Sequence, residues 1–184
     1  NYPLFLPGAQ AEQALAAGNA VLVKPAPGAA GPMAWLADAL VREGAPDGLC
    51  SVLPEAPEAA QQAIRAGVDK VVLTGSVASG RAVAAALAPL GTPSVMELSG
   101  RDPMIVLPGA SPALVARAIA YGLSLNGGAT CIAPRRILAV GAMERMVADA
   151  LPAALAAMPE HPVPAELAPR LRAALDLARA LGGA

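Results

Sequence analysis

Short runs of β-branched and other aliphatic residues alternate along this chain with longer, alanine-rich stretches. Residues 20–24, 49–53, 70–74 and 94–98 each read as a strand. Between them, residues 32–43, 57–66 and 76–87 read as helices, the first with a proline early and Gly44 just past its end. Strand, helix and strand recurring in this way predict a parallel sheet with crossover helices. The strands are nearly continuous apolar runs without polar alternation, which is the pattern expected when both sheet faces are covered. The predicted fold class is α/β, a doubly wound parallel sheet.

Beyond Gly100 the rhythm persists with new spacing. Residues 104–107 and 136–140 read as strands, and 112–125, 142–158 and 165–181 as helices. Pro152 falls inside the second of these helices, where a kink is expected. Asn126-Gly127-Gly128 forms a glycine-rich turn. Three prolines between 159 and 164 read as a linker.

Composition narrows the function classes. The 184 residues are 55% hydrophobic, yet Pro, Gly, Arg or Glu interrupts every apolar run before it reaches the roughly 20 residues of a membrane span. A formal net charge of -1 without a basic cluster argues against nucleic acid and anionic membranes as partners. Two cysteines, Cys50 and Cys131, make no disulfide framework, and no secretory signal is recognised. A reducing, cytoplasmic compartment is the expectation. Because the chain opens on Asn1 and not on Met, an excised or processed segment is expected.

In an open parallel sheet, ligands bind beyond the carboxyl ends of the strands. Lys24, Thr74-Gly75-Ser76 and Glu97 all fall there. Taken singly, each also has a bland reading: a solvated lysine, a helix N-cap, a surface carboxylate. Gly75 and Gly80 have the spacing of a phosphate loop, but Arg81 and Ala82 stand where that motif needs Lys and Ser or Thr. A helix N-terminus able to hold one phosphate remains. Cys131 follows a loop with little bulk, whereas Cys50 sits inside an apolar strand. A thiol in such a turn, near backbone N–H groups, can become nucleophilic. His161 is the only histidine and lies in the expected linker, so a Cys-His dyad and a zinc site are both disfavoured. The base for a Cys131 nucleophile is then a carboxylate, and Glu97 is the available choice.

Five segments, in order, resemble the motifs of the aldehyde dehydrogenase family. They are Asn1-Tyr2-Pro3-Leu4, the run from Ala14 through Gly18-Asn19 to Lys24-Pro25, Asp69-Lys70 through Thr74-Gly75-Ser76, Glu97-Leu98-Ser99-Gly100-Arg101, and Gly128-Ala129-Thr130-Cys131-Ile132-Ala133. The spacing of Glu97 and Cys131 is also the family's usual one. The resemblance is clear to about residue 140 and weaker beyond.

The resemblance implies that Cys131 attacks an aldehyde carbon and that the Asn1 amide and the Cys131 N–H hold the oxyanion. Hydride then passes to NAD or NADP, and Glu97 activates the water that hydrolyses the thioester. It further implies that Lys24 binds the adenosine ribose, Gly75 and Ser76 the pyrophosphate, and that Leu98 lines the cofactor site. Residues 1–100 correspond to part of the cofactor-binding domain and 101–184 to the start of the catalytic domain, an incomplete two-domain arrangement. A small-molecule aldehyde is the implied substrate, and a homo-oligomer the implied parent assembly.

Three positions depart from the family pattern: Pro27 replaces a ribose-binding Glu, Ser99 a glycine, and Leu73 an aromatic. Pro27 leaves the choice between NAD and NADP open. A family strand and tryptophan before Asn1, and a downstream glutamate-phenylalanine motif, are not found here, so the chain alone is expected to turn over little. Two other readings stand beside this one. A CoA-acylating relative is disfavoured by Glu97, while a non-catalytic truncated homologue, acting as a structural or nucleotide-binding module, is favoured by the missing terminal motifs and opposed by the retained Asn1, Lys24, Glu97 and Cys131.

Overall fold

The computed structural model describes residues 2–160, 162, 163, 165 and 167–181. The proposed role of Asn1 and the reading of His161 lie outside the described residues. The chain divides into two compact units, Asn1–Ser99 and Gly100–Ala184.

In the first unit the order is α1 (Phe5–Ala16), β1 (Val21–Val23), α2 (Ala30–Arg42), β2 (Cys50–Val52), α3 (Pro57–Gly67), β3 (Val71–Gly75), α4 (Val77–Leu87), a short 3-10 turn (Ala88–Leu90) and β4 (Ser94–Leu98). β1 pairs in parallel with β2, and β3 with β4, the latter in the register Thr74 to Glu97 and Gly75 to Leu98. In the second unit β5 (Asp102–Val106) pairs in parallel with β6 (Pro134–Ala139), and α5 (Pro112–Ser124), α6 (Met143–Ala156) and α7 (Ala168–Ala180) complete it. The parallel α/β reading stands. The six described strands form three parallel ribbons, with no ladder running across all of them.

Helix α1 was not anticipated. Pro7 falls in its first turn, where a proline lacks only an N–H that would have no partner anyway. Gly8 is buried there because α1 passes close to α2, and a Cβ at this position would stand 3.4 Å from Leu36 Cδ2. Gly44, with φ +98°, follows α2 as the left-handed residue that ends it. Helix α6 runs on through Pro152, which forfeits only its own bond to the carbonyl one turn back.

Ala11, Val23 and Met33 form the buried core of the first unit, with Val21, Leu36, Cys50 and Val52 packed around them. Val106, Ile119, Met143 and Val147 form that of the second. One expectation is corrected. All strands but β2 show exposed positions, and Leu22, Val72, Ile105 and Leu138 stand exposed between covered neighbours. An aliphatic residue shows only that burial is tolerated there, not that a partner covers it. Here each ribbon has one packed face.

Candidate active site

Lys24 emerges from β1 half-buried, and its Nζ donates to the backbone carbonyl of Glu55 at 3.2 Å. Glu55 lies just beyond β2, the parallel neighbour of β1. Its own carboxylate turns back on the loop that follows Lys24. Oε2 accepts from the Gly28 N–H and Oε1 from the Ala30 N–H, each at 2.8 Å. These backbone N–H groups, Gly28 first and Ala30 next, hold the Glu55 carboxyl below the usual glutamate range, and the charge on Lys24 adds to the effect. Sequence reasoning missed Glu55. The strand-end rule that flagged Lys24 applies equally to the end of β2 and could have found it.

Ser76 caps α4: its Oγ accepts from the Ser79 N–H at 3.1 Å and lies 3.0 Å from Ser79 Oγ. The N–H groups of Val77 and Ala78 fall in the first turn, where a helix offers no internal acceptor. An exposed cap and two such donors form a donor set that fits a phosphate. The β3–β4 register carries Glu97 to the same end of the ribbon, opposite Thr74, with Leu98 opposite Gly75. The chain is closed there by Ser99 N–H donating to the Gly75 carbonyl at 3.1 Å. Gly75, Ser76, Glu97 and Leu98 are thus assembled locally by one parallel pair. Glu97 is exposed, while Leu98 is half-buried against α4. Gln10 of α1 reaches the same place, with Nε2 at 3.5 Å from Thr74 Oγ1.

In the second unit, Cys131 follows a turn through Asn126, Gly127 and Gly128, whose φ angles are +51°, +62° and +79°. Two of these three consecutive left-handed residues are glycines, which enter that region without steric cost. Buried Thr130 anchors the turn by donating its hydroxyl to the Leu125 carbonyl at 3.0 Å. Arg135 holds it from the other side: Nη1 donates to the Cys131 carbonyl at 3.3 Å and Nη2 to that of Gly128 at 3.2 Å. Between these anchors Cys131 is exposed. Cys50 contrasts with it, since partial burial in β2 pushes its thiol up. Arg135 also went unnoticed in the sequence, because an arginine next to another arginine at a strand start reads as surface charge.

Residues 1–167 match the family model described as "Aldehyde dehydrogenase family". The chain belongs to the aldehyde dehydrogenase family. It is 36% identical over 158 residues to a geranial dehydrogenase of Castellaniella defragrans, covering 85% of this chain and 33% of that protein. It is 33% identical over 151 residues to a rat aldehyde dehydrogenase described as dimeric and NADP-preferring, covering 82% and 33%. A solved structure of a putative aldehyde dehydrogenase from Burkholderia cenocepacia superposes with a TM-score of 0.85 at 28% identity, over 98% of this chain and 41% of that one. The chain therefore spans about a third of the length of the curated relatives it matches. Among the described residues, no helix is long and apolar enough to cross a membrane.

Proposed function

We propose that this protein oxidises a small-molecule aldehyde to a carboxylic acid, with NAD or NADP as electron acceptor and Cys131 as nucleophile. The observation that carries the reading is the exposed Cys131 on a turn pinned by Thr130 and Arg135. A pinned turn fixes the backbone from which the sulfur is offered, which favours a near-attack geometry. Family membership and the ordered motifs support the same assignment.

In this mechanism the Cys131 thiolate attacks the aldehyde carbon, and a C–S bond forms as the carbonyl oxygen becomes an oxyanion. The Cys131 N–H and the side-chain amide of Asn1 donate to that oxyanion. The dinucleotide, when bound, would accept the hydride that leaves the former aldehyde carbon, so that a Cys131 thioester remains. Glu97 then takes a proton from water, the resulting nucleophile attacks the thioester, and the C–S bond breaks to release acid and thiolate. Lys24 would donate to ribose hydroxyls, and Gly75, Ser76 and the first turn of α4 would hold the pyrophosphate, with Leu98 lining the cofactor site. Residues 1–100 thus act as part of the cofactor-binding portion and 101–184 as the start of the catalytic portion. The same reading places the protein in the reducing cytoplasm as a homo-oligomer.

Thiol labelling tests the proposal. Iodoacetamide should modify Cys131 before Cys50, and prior addition of an aldehyde should slow that modification, both read by peptide mass spectrometry. Labelling of Cys50 first, or no protection at any aldehyde concentration, would sink the assignment.

A further inference from the structure

Beside Lys24 the chain carries a fixed anion that no family motif quoted above supplies. Glu55 is held at both carboxylate oxygens by the Gly28 and Ala30 N–H groups at 2.8 Å, and Lys24 Nζ is tied to the same residue through its carbonyl at 3.2 Å. The cation assigned to the ribose and this carboxylate are therefore parts of one small structure. Each carboxylate oxygen has two acceptor sites, so the two bonds at 2.8 Å do not exhaust the group. The two backbone donors also remove the rotamer freedom that lets an ordinary surface glutamate swing away from an approaching anion.

We infer that Glu55 is a specificity residue that selects NAD over NADP, accepting a ribose hydroxyl next to Lys24 and repelling a 2′-phosphate. The inference rests on the reading of Lys24 as the ribose-binding residue. Pro27, which stands where the family's ribose-binding Glu is expected, removes a carboxylate from that loop. Glu55 brings one back from the neighbouring strand end, onto the backbone of the same loop. A carboxylate below the usual glutamate range stays ionised at neutral pH, so the repulsion is present whenever the dinucleotide binds. The rat relative is described as NADP-preferring, so on this argument the present chain has the opposite preference.

The test is calorimetric binding of NAD and NADP to the whole chain, to E55Q and to E55A. The unsubstituted protein should bind NAD at least about tenfold more tightly, as expected for like charges at close range in a solvated site. E55Q removes the charge and one of the two acceptors, E55A removes both, and each should bring the two affinities within about threefold by tightening NADP. In the unsubstituted protein, raising the salt concentration should narrow the ratio as well, a measurement that needs no variant. Equal or tighter NADP binding by the unsubstituted protein, or an NAD preference that survives both E55Q and high salt, overturns the role of Glu55 and leaves the nucleotide site intact. Binding of neither dinucleotide overturns the cofactor site itself, and this inference with it.

Discussion

Gly80 of α4 lies against Leu98 of β4 so closely that a Cβ on Gly80 would stand 2.6 Å from Leu98 Cδ1 and 2.7 Å from Cδ2. This contact sets the helix down on the ribbon, and the helix carries Ser76 at its start while the strand carries Glu97. The second unit repeats the device. A Cβ on Gly122 of α5 would stand 2.6 Å from Cδ of Pro134, the first residue of β6. The two contacts differ in what can yield. Leu98 can rotate its methyl groups away, whereas a proline ring cannot.

Gly122→Ala should therefore destabilise the protein more than Gly80→Ala. Overpacking costs about 1–3 kcal/mol, and replacing a helical glycine by alanine returns roughly 1 kcal/mol. Gly122→Ala should lower Tm by about 3–6 °C, and Gly80→Ala should stay within about 3 °C of the unsubstituted protein. Gly80→Ala should instead weaken dinucleotide binding, because Leu98 must leave its place. Equal Tm losses for the two variants would mean that the proline contact is no stiffer than the leucine one.

The elements around these glycines were legible in the sequence, for a physical reason. Strands such as Val71–Gly75 and Ser94–Leu98 are compact aliphatic runs, and the helix between them begins at a serine and ends before a glycine. Such signals are local, so they survive without any knowledge of the fold. The candidate residues Gly75, Ser76 and Glu97 were legible for the same reason, as strand-end positions, whereas Leu98 came only with the family resemblance. Arg135 was not legible, and Glu55 was so only as a strand-end position, without its partners. The N–H groups that hold Glu55 lie 27 and 25 residues away, and nothing beside it in sequence announces them. Helix α1 hid behind Pro7-Gly8, where turn chemistry and a first helical turn look alike. The uncovered strand faces hid behind their own aliphatic side chains.

Ser76→Ala removes the cap that accepts the Ser79 N–H. Loss of an N-cap serine costs about 1 kcal/mol, and a Tm drop of roughly 3 °C is expected. Ser111→Ala removes the equivalent cap of α5, where Ser111 Oγ accepts the Leu114 N–H at 3.4 Å, and should cost no more. Only the Ser76 variant should also lose affinity for ADP, since only that helix is assigned to a pyrophosphate. A matching affinity loss in both variants would move the phosphate away from α4.

Arg135→Ala frees the carbonyls of Cys131 and Gly128 from the guanidinium that spans them. The bonds are solvent-exposed, so the stability change should be small, about 1 kcal/mol or less. The effect should appear at the thiol: aldehyde protection of Cys131 against iodoacetamide should weaken several-fold as the turn loses its brace. Arg135→Lys should recover little, because an ammonium cannot reach two carbonyls as a fork. Full protection in Arg135→Ala would show that Thr130 alone secures the turn.

Cys50 should shape the alkaline side of the stability curve. Burial raises the Cys50 thiol, so its folded value lies above that in the unfolded chain. The stability linked to it is complete below the unfolded value, about 8.5, and is lost as pH rises through the folded one. Cys50→Ala should accordingly flatten the alkaline arm of the Tm-against-pH curve. An unaltered alkaline arm in Cys50→Ala would assign the loss to other groups.

Glu55 should govern the acid side through the opposite sign. Its carboxyl is depressed by the Gly28 and Ala30 N–H groups, with Lys24 adding to it. A depressed carboxylate contributes stability that is fully present above its unfolded value, about 4.3, and fades as pH falls through the lower folded value. Below that value the protonated side chain can no longer hold both N–H groups as an anion, and the loop between Lys24 and α2 loosens. Glu55→Gln should be less stable than the unsubstituted protein at pH 6, and the gap should close as the pH drops towards 3. A gap of constant size across that range, read from Tm at each pH, would show that hydrogen-bonding shape and not charge ties residue 55 to the loop. The charge argument for NAD selection would then lose its support as well.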